Sequence, residues 1–145
     1  MKSKQLDDEH GRKTFALIFE TGDEVATGLL EFAKKNSMGA AHFTAIGAFR
    51  DVVLGYFEWG VKDYKRIPLR EQVEVLSLIG DVAWDDQTGP KVHAHVVVGR
   101  SDGTAHGGHL LEAHVRPTLE VILIESPKHL QRKYDPESRL SLIRL

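Results

Sequence analysis

Three histidines in the second half of the chain have the residue type and spacing of metal ligands. His93 and His95 stand two residues apart in a run rich in β-branched residues. A strand repeats its side-chain direction every second residue, so both imidazoles should project from one face. The segment 101–103, Ser-Asp-Gly, predicts a turn, and a hairpin through it would return His109 towards that strand. Three imidazoles suit zinc or a similar divalent transition metal and leave one position for water or a ligand, as in catalytic zinc sites.

The same spacing has an ordinary alternative. Two histidines on a half-exposed strand are also found simply solvated or hydrogen-bonded. His42 has no second ligand at a matching offset, so we expect a partly buried, hydrogen-bonded side chain there. His106 and His114 are expected to be exposed rather than ligating, although His106 is close enough in sequence to compete with His109.

Glu120 is a second candidate functional residue. It lies in the segment 118–124, where a carboxylate among branched apolar residues is costly to bury unless it is paired or coordinating. Three metal-related roles are open to it: a fourth ligand, an acceptor for a ligand imidazole, or a catalytic acid/base. Otherwise it pairs with Arg116 or another cation, or reaches solvent.

The hydrophobic pattern predicts one amphipathic helix among several strands. Apolar residues at helical spacing predict a helix that follows a cap at Thr21, ends near Asn36 and buries Val25, Leu29, Phe32 and Ala33. Strands are predicted at 13–19, 40–49, 52–59, 73–83, 110–114 and 119–124, besides the histidine strand. Turns at 50–51 and 116–117 and a polar, mobile excursion at 61–68 separate some of them.

Composition predicts one ordinary domain. The chain has 145 residues, 41% of them hydrophobic, which is enough for a real core. It has no cysteine, which fits a cytoplasmic protein, and no apolar run of the length that a membrane span needs. Residues 1–12 are expected to be a flexible polar lead-in, and the alternating end of the tail, 127–145, could dock as an edge strand.

Several motifs, in order along the chain, resemble the PPC domain (plant and prokaryote conserved domain, also called DUF296), stand-alone prokaryotic type. They are the segments 22–25, 45–49, 74–82, 90–95, 107–112 and 118–121, and the match covers about residues 13–126. The resemblance implies a compact α+β fold, with a mainly antiparallel sheet and one main helix packed on it, that forms homotrimers. It also implies a metal at the His-x-His and Gly-Gly-His positions, which here are His93, His95 and His109.

The resemblance also brings an expectation of DNA binding, through plant members of the family. The net charge of −2 argues against a strong phosphate grip, since non-specific binding usually comes with a basic excess. Two basic groups are expected to be solvated surface rather than a nucleic-acid footprint: Lys62, Lys65, Arg66 and Arg70, and then Lys128, Arg132, Lys133, Arg139 and Arg144. The Arg-Gly-Arg-Pro hook of plant proteins does not occur, and the segment 71–76 departs from the plant pattern.

Two hypotheses of function follow. The first is a homotrimeric metal-binding module that receives a small-molecule ligand or binds DNA or a protein partner. The second is a metal-dependent hydrolase or decarboxylase-like enzyme that uses metal-bound water, with Glu120 as acid/base. The resemblance points weakly towards the second as well, because the PPC fold is similar to that of acetolactate decarboxylase, which also uses His-x-His and a later histidine. We favour the metal-binding module, because the sequence near the histidines identifies no second catalytic residue.

Overall fold

The computed structural model describes residues 1–126 and 130–144. Within them the elements are β1 (Lys2–Glu9), β2 (Arg12–Glu20), α1 (Val25–Lys35), β3 (Ala40–Glu58), β4 (Asp63–Leu69), β5 (Val73–Asp85), β6 (Gly89–Gly99), β7 (Ala105–Glu125), β8 (Gln131–Asp135) and β9 (Leu140–Arg144). The strands form one sheet, in which the pairing of β5 with β8 is parallel and the others are antiparallel. The expected α+β fold, mainly antiparallel with one helix, is therefore confirmed.

Four strands close on one another in a circuit. β3 pairs with β5, β5 with β6, β6 with β7, and β7 with β3. The hairpin β1–β2 extends the sheet beyond β7, and the hairpin β8–β9 extends it beyond β5. β6 pairs with β5 along its whole length and with β7 over residues 95–99, so His95 is held between two strands and His93 is held by β5.

The helix packs its apolar stripe on the sheet. Val25, Leu29, Phe32 and Ala33 are buried, as predicted, and Asn36 is the C-terminal cap. They join a core whose largest fully buried side chains include three phenylalanines of β2 and β3. Burying an apolar side chain of this size contributes roughly 1.5–3 kcal/mol. The described helix is too short and too polar to span a membrane.

The helix begins at a different cap from the predicted one. Glu24, not Thr21, is the N-cap, and its carboxylate accepts from two amides of the first turn, the shorter being Thr27 N–H at 2.7 Å. The same carboxylate accepts from the Ala113 amide of β7 at 3.2 Å. The Thr21 hydroxyl instead donates to a carbonyl of β7. A carboxylate accepts several amides at once, so Glu24 ties the helix to β7 as well as capping it.

Two predicted turns are wrong, because β3 and β7 each run through as one long strand. Residues 50–51 lie inside β3, and residues 116–117 lie inside β7. The strands bend at shifts of register, including those on either side of Phe49, instead of reversing direction. Gly47 makes the close approach possible: its φ is +151°, and a Cβ there would overlap the Thr118 carbonyl oxygen.

Other polar segments are also strands. The predicted excursion at 61–68 contains β4, which pairs with the second half of β3. The predicted flexible lead-in, 1–12, contains β1. Its residues are exposed, but they pair as a hairpin with β2, which in turn pairs with β7. Residues 140–144 form β9, the outermost strand beyond β8. Residues 127–129, including Lys128, and Leu145 lie outside the described part of the chain.

Candidate metal centre

His93, His95 and His109 converge on one side of the sheet. His93 and His95 lie on β6, and His109 is directly opposite His95 in the β6–β7 pair. The ring of His93 is 5.1 Å from each of the other two rings, which are 5.5 Å from one another. One potential ligand atom of each side chain lies within 4.8 Å of the others. The predicted hairpin therefore does bring the three imidazoles together.

His109 is the most enclosed of the three. Tyr64 of β4 stacks on its ring, with centroids 4.5 Å apart and an interplanar angle of 24°. Burial, aided by His93 and His95, lowers the pKa of His109 to about 4. Burial and the neighbouring His93 also lower the pKa of His95. Both rings are therefore neutral at pH 7, which is the form that binds metal. Nδ1 of His109 is buried without a hydrogen-bond partner. Buried polar atoms rarely lack a partner, so this nitrogen is available to bind one.

Asp81 lies beside His93 and connects it to the C-terminal hairpin. Its Oδ2 is 3.6 Å from His93 Nδ1, and its Oδ1 accepts a 2.5 Å hydrogen bond from Arg132 Nη2. Burial raises the pKa of Asp81, but hydrogen bonding and the positive charge of Arg132 outweigh burial, so this pKa lies below its usual range. Arg132 is itself buried, and its Nη1 donates to the Ser141 carbonyl of β9 at 3.0 Å. A carboxylate beside a candidate ligand imidazole is the usual way of orienting the ring.

A cavity of about 670 Å³ lies next to the histidines. His93, His109 and Tyr64 line it, together with residues of the β8–β9 hairpin. Cationic side chains dominate the charged lining, namely Lys91, Arg132, Lys133 and Arg139, against the carboxylates of Asp85 and Asp86. The candidate metal centre therefore faces a space of the size that takes a small molecule.

Glu120 does not belong to this cluster. It is exposed, and it pairs across the sheet with Ile18 on one side and Ile46 on the other. It lies eleven residues after His109, roughly 35 Å along an extended strand. Within one chain, the long strand β7 therefore places Glu120 and His109 in different regions of the sheet, and the metal-related role of Glu120 stays a prediction.

The remaining histidines are also outside the cluster. His42 is exposed on β3. His114 is half-buried, and its Nδ1 lies 2.7 Å from Asp51 Oδ1. His106 is half-buried on β7, opposite Val98. His106 and His114 are therefore less exposed than predicted, and His42 is more exposed than predicted. Within residues 1–126 and 130–144, none of the three joins a group of three potential ligands.

The two basic groups are partly neutralised inside the chain. Arg66 pairs with Glu112 at 3.3 Å, and Arg144 pairs with Asp135 at 3.2 Å. Arg132, predicted to be solvated, is instead buried against Asp81. These pairs remove several cations from any phosphate-binding surface.

Sequence reasoning missed three residues beside the histidines: Asp81, Arg132 and Tyr64. The argument that singled out Glu120 applies equally to Asp81, because Asp81 is also a carboxylate inside an apolar strand. Arg132 and Tyr64 stand in segments of ordinary polar composition, and no local pattern separates them from surface residues. Their positions depend on pairings of β4 and β8 with distant strands.

The chain was compared with known proteins. The profile of the Plants and Prokaryotes Conserved (PCC) domain matches residues 7–127. A metal-containing protein of Archaeoglobus fulgidus is 36% identical, with 92% of this chain and 94% of that chain covered and a TM-score of 0.83. A plant- and prokaryote-conserved (PPC) protein of Pyrococcus horikoshii is 32% identical, with coverages of 99% and 95% and a TM-score of 0.85.

More distant similarities extend the comparison. A protein of Bacteroides thetaiotaomicron described as a candidate DNA-binding protein is 25% identical, with coverages of 98% and 96% and a TM-score of 0.86. The acetolactate decarboxylase of Bacillus subtilis is 12% identical with a TM-score of 0.56, and 88% of this chain covers 58% of that one, so this likeness concerns the fold alone. Among curated proteins nothing matches. The chain belongs to the Plants and Prokaryotes Conserved domain family, the family that its sequence resembles under the name PPC.

Proposed function

We propose that this protein is a metal-binding module in which His93, His95 and His109 hold one zinc ion or a similar divalent transition metal. The observation that supports this proposal is the convergence of three imidazoles within 4.8 Å. Nitrogen ligands of a tetrahedral zinc ion are roughly 3.4 Å apart, so small rotations of the rings would suffice. Two further observations support this proposal. His109 is neutral and its Nδ1 has no hydrogen-bond partner, and the similar protein of Archaeoglobus fulgidus contains metal. A metal held in this way supplies a Lewis acid with a free coordination position.

Elemental analysis of the purified protein tests the metal centre. We expect about one metal ion per chain in the wild type, and loss of that metal in His93→Ala/His95→Ala. His42→Ala is the matched control, because it removes an exposed imidazole of the same sheet that lies outside the cluster. Wild-type protein that takes up no metal even after zinc is added, or a double variant that keeps its metal, would contradict the proposal.

We also propose a homotrimer, as the family resemblance implies. Four exposed side chains on the side of the sheet away from the core form what we term the isoleucine face: Ile18, Ile46, Ile79 and Ile122. Register places them in adjacent ladders, and Ile79 is directly opposite His95, so the face borders the metal cluster. Register also places Glu120 between Ile18 and Ile46, and Thr44 between Ile79 and Ile122, so the face combines large apolar side chains with two polar ones. An exposed surface rich in large apolar side chains is typical of a protein contact.

Native mass measurement tests this assembly. We expect a species of three 16.2 kDa chains for the wild type, and smaller species for Ile46→Asp, which places a charge on the isoleucine face. Val61→Asp is the control, because Val61 is equally exposed but lies in the turn after β3. A wild-type monomer, or a trimeric Ile46→Asp variant, would refute the proposed contact.

The cellular output of such a module is proposed from its relatives. A regulatory role through DNA is supported by the description of the Bacteroides protein. If it holds, binding to DNA should be detectable at low salt, and replacing lysines of a true footprint should flatten its salt dependence. No binding at low salt would remove this role. A cytoplasmic location belongs to the same proposal.

The enzyme hypothesis has one observation in its favour, the cavity beside the histidines. Among the described residues Glu120 lies outside the histidine cluster, so the cavity, and not the predicted acid/base, is what supports this hypothesis. Turnover of simple esters or of 2-oxo and 2-hydroxy acids that disappears in His95→Ala would support catalysis at this centre. Turnover that persists in that variant would exclude it.

A further inference from the structure

The cavity beside the histidines has an excess of positive charge. Lys91 is paired with Asp85 at 3.4 Å, and Arg132 is paired with Asp81. Lys133 and Arg139, which also line the cavity, have no side-chain partner within residues 1–126 and 130–144.

Asp86 lines the same cavity and also lacks a side-chain partner among those residues. The unpaired charged lining is therefore two cations against one carboxylate. An unpaired cation at the wall of a concave site strengthens the attraction of that site for anions, since the surrounding protein focuses the field.

The dimensions of the cavity favour an organic anion over a simple inorganic one. Its volume of about 670 Å³ is in the range of pockets for small organic ligands. Apolar side chains, including Val92, Leu140 and Leu142, alternate with the charged ones around it. A ligand with an apolar body and charged ends would match this lining.

The unpaired cations and the histidines of the cavity lining come from different elements. Lys133 belongs to β8 and Arg139 to the turn that precedes β9, whereas the histidines come from β6 and β7. Arg132 fixes the hairpin to the histidine side through Asp81 and the Ser141 carbonyl. The unpaired cations and two of the candidate metal ligands, His93 and His109, therefore line one cavity from different elements.

We propose that this cavity binds a small organic dicarboxylate, with one carboxylate at Lys133 and Arg139 and the other at the metal held by the histidines. The second contact rests on the metal centre proposed above. The first depends only on the two unpaired cations. Charge-assisted hydrogen bonds to lysine and arginine are strong and would orient the ligand.

Calorimetric titration with succinate tests this inference. We expect zinc-loaded wild-type protein to bind succinate and the double variant Lys133→Gln/Arg139→Gln to bind it about tenfold or more weakly. The charge-preserving variant Lys133→Arg/Arg139→Lys should bind succinate more tightly than the glutamine variant, because both positive charges remain. Neutral succinamide should not bind, because it lacks both charges. Metal-free protein should bind succinate about tenfold or more weakly than loaded protein.

Controls separate this site from general charge effects. Lys4→Gln removes one exposed cation of β1, outside the cavity, and should leave succinate binding unchanged. Inorganic phosphate, titrated in the same way, should bind more weakly than succinate because it has one anionic group where succinate has two, joined by an apolar body. Tighter phosphate binding would show a simple oxyanion site and overturn the dicarboxylate.

Three other results would also overturn the proposal. They are no succinate binding to loaded protein up to about 10 mM, equal affinity of the Gln double variant and the wild type, or equal affinity of loaded and metal-free protein. Elemental analysis of the same samples distinguishes the two levels. Protein without metal in every preparation refutes the metal centre, whereas loaded protein that ignores succinate refutes the ligand alone.

Discussion

Replacing Asp81 by Asn tests how the candidate metal centre is supported. The change keeps the shape of the side chain but removes the charge that faces both His93 and Arg132. Loss of a carboxylate that orients a ligand imidazole typically costs about 10–100-fold in metal affinity. The 3.6 Å separation of Asp81 and His93 exceeds a hydrogen bond, so the lower end, about tenfold, is expected here.

The same substitution should also reduce stability. Arg132 has a side chain only 8% exposed, and Asp81 holds its Nη2. Removing one partner of a fully buried pair costs about 3–5 kcal/mol, and we expect about 2 kcal/mol because the Asp81 side chain is 24% exposed. Denaturant unfolding of the metal-free protein measures this loss.

A second variant separates the two effects. Asp81→Asn/Arg132→Met removes the orphaned charge, so stability should recover in part while zinc affinity stays low. Zinc affinity is measured by competition with a chromophoric chelator, and Asp8→Asn on the exposed strand β1 is the matched control. Zinc affinity of Asp81→Asn within twofold of the wild type would refute the role of Asp81 in orienting His93.

Three further predictions concern His109, Gly47 and Glu120. The pKa of His109 is lower in the folded chain than in the unfolded one, so metal-free protein should lose stability as pH falls from about 6.5 to 4. Because the ring is partly exposed, the expected loss is on the order of 1–2 kcal/mol. Urea titrations should show this loss in the wild type and less of it in His109→Gln. Gly47→Ala should destabilise by about 1–3 kcal/mol because the added Cβ meets the β7 backbone at a positive φ, whereas Gly60→Ala, where nothing lies within 4 Å, should be nearly neutral in the same assay. Glu120→Gln should leave the metal content unchanged by elemental analysis. A loss of metal in this variant would instead support the predicted metal-related role of Glu120.

The histidine cluster was predictable because its geometry is local. Residues 93 and 95 share a face in any strand, and the turn after Ser101 needs few residues to return the chain to His109. The buried helix face was predictable for the same reason, since a period of 3.6 residues is read directly from the sequence. Such features require no knowledge of which strands become neighbours.

The features that were mispredicted depend on distant partners. A pair such as Arg50-Asp51 is typical of a turn by composition, yet β4, β5 and β7 all pair with parts of β3 and hold it extended through those residues. Glu120 and Asp81 are equally plausible as buried carboxylates in sequence. Pairing decides between them, because Asp81 lies opposite His93 on β5–β6 and Glu120 lies between two isoleucines.

The C-terminal hairpin is part of the candidate site rather than an appendage to the sheet. Only a few residues of β8 pair with β5, so backbone pairing alone gives this hairpin a short attachment. Arg132 adds a buried link, since one guanidinium holds both Asp81 of β5 and the Ser141 carbonyl of β9. The position of the Asp81 carboxylate and the part of the cavity lined by the hairpin therefore depend on the same side chain, Arg132. A change in the position of the hairpin would alter the surroundings of His93 and the shape of the cavity together, so the proposed binding of metal and the proposed binding of ligand should be coupled through the tail.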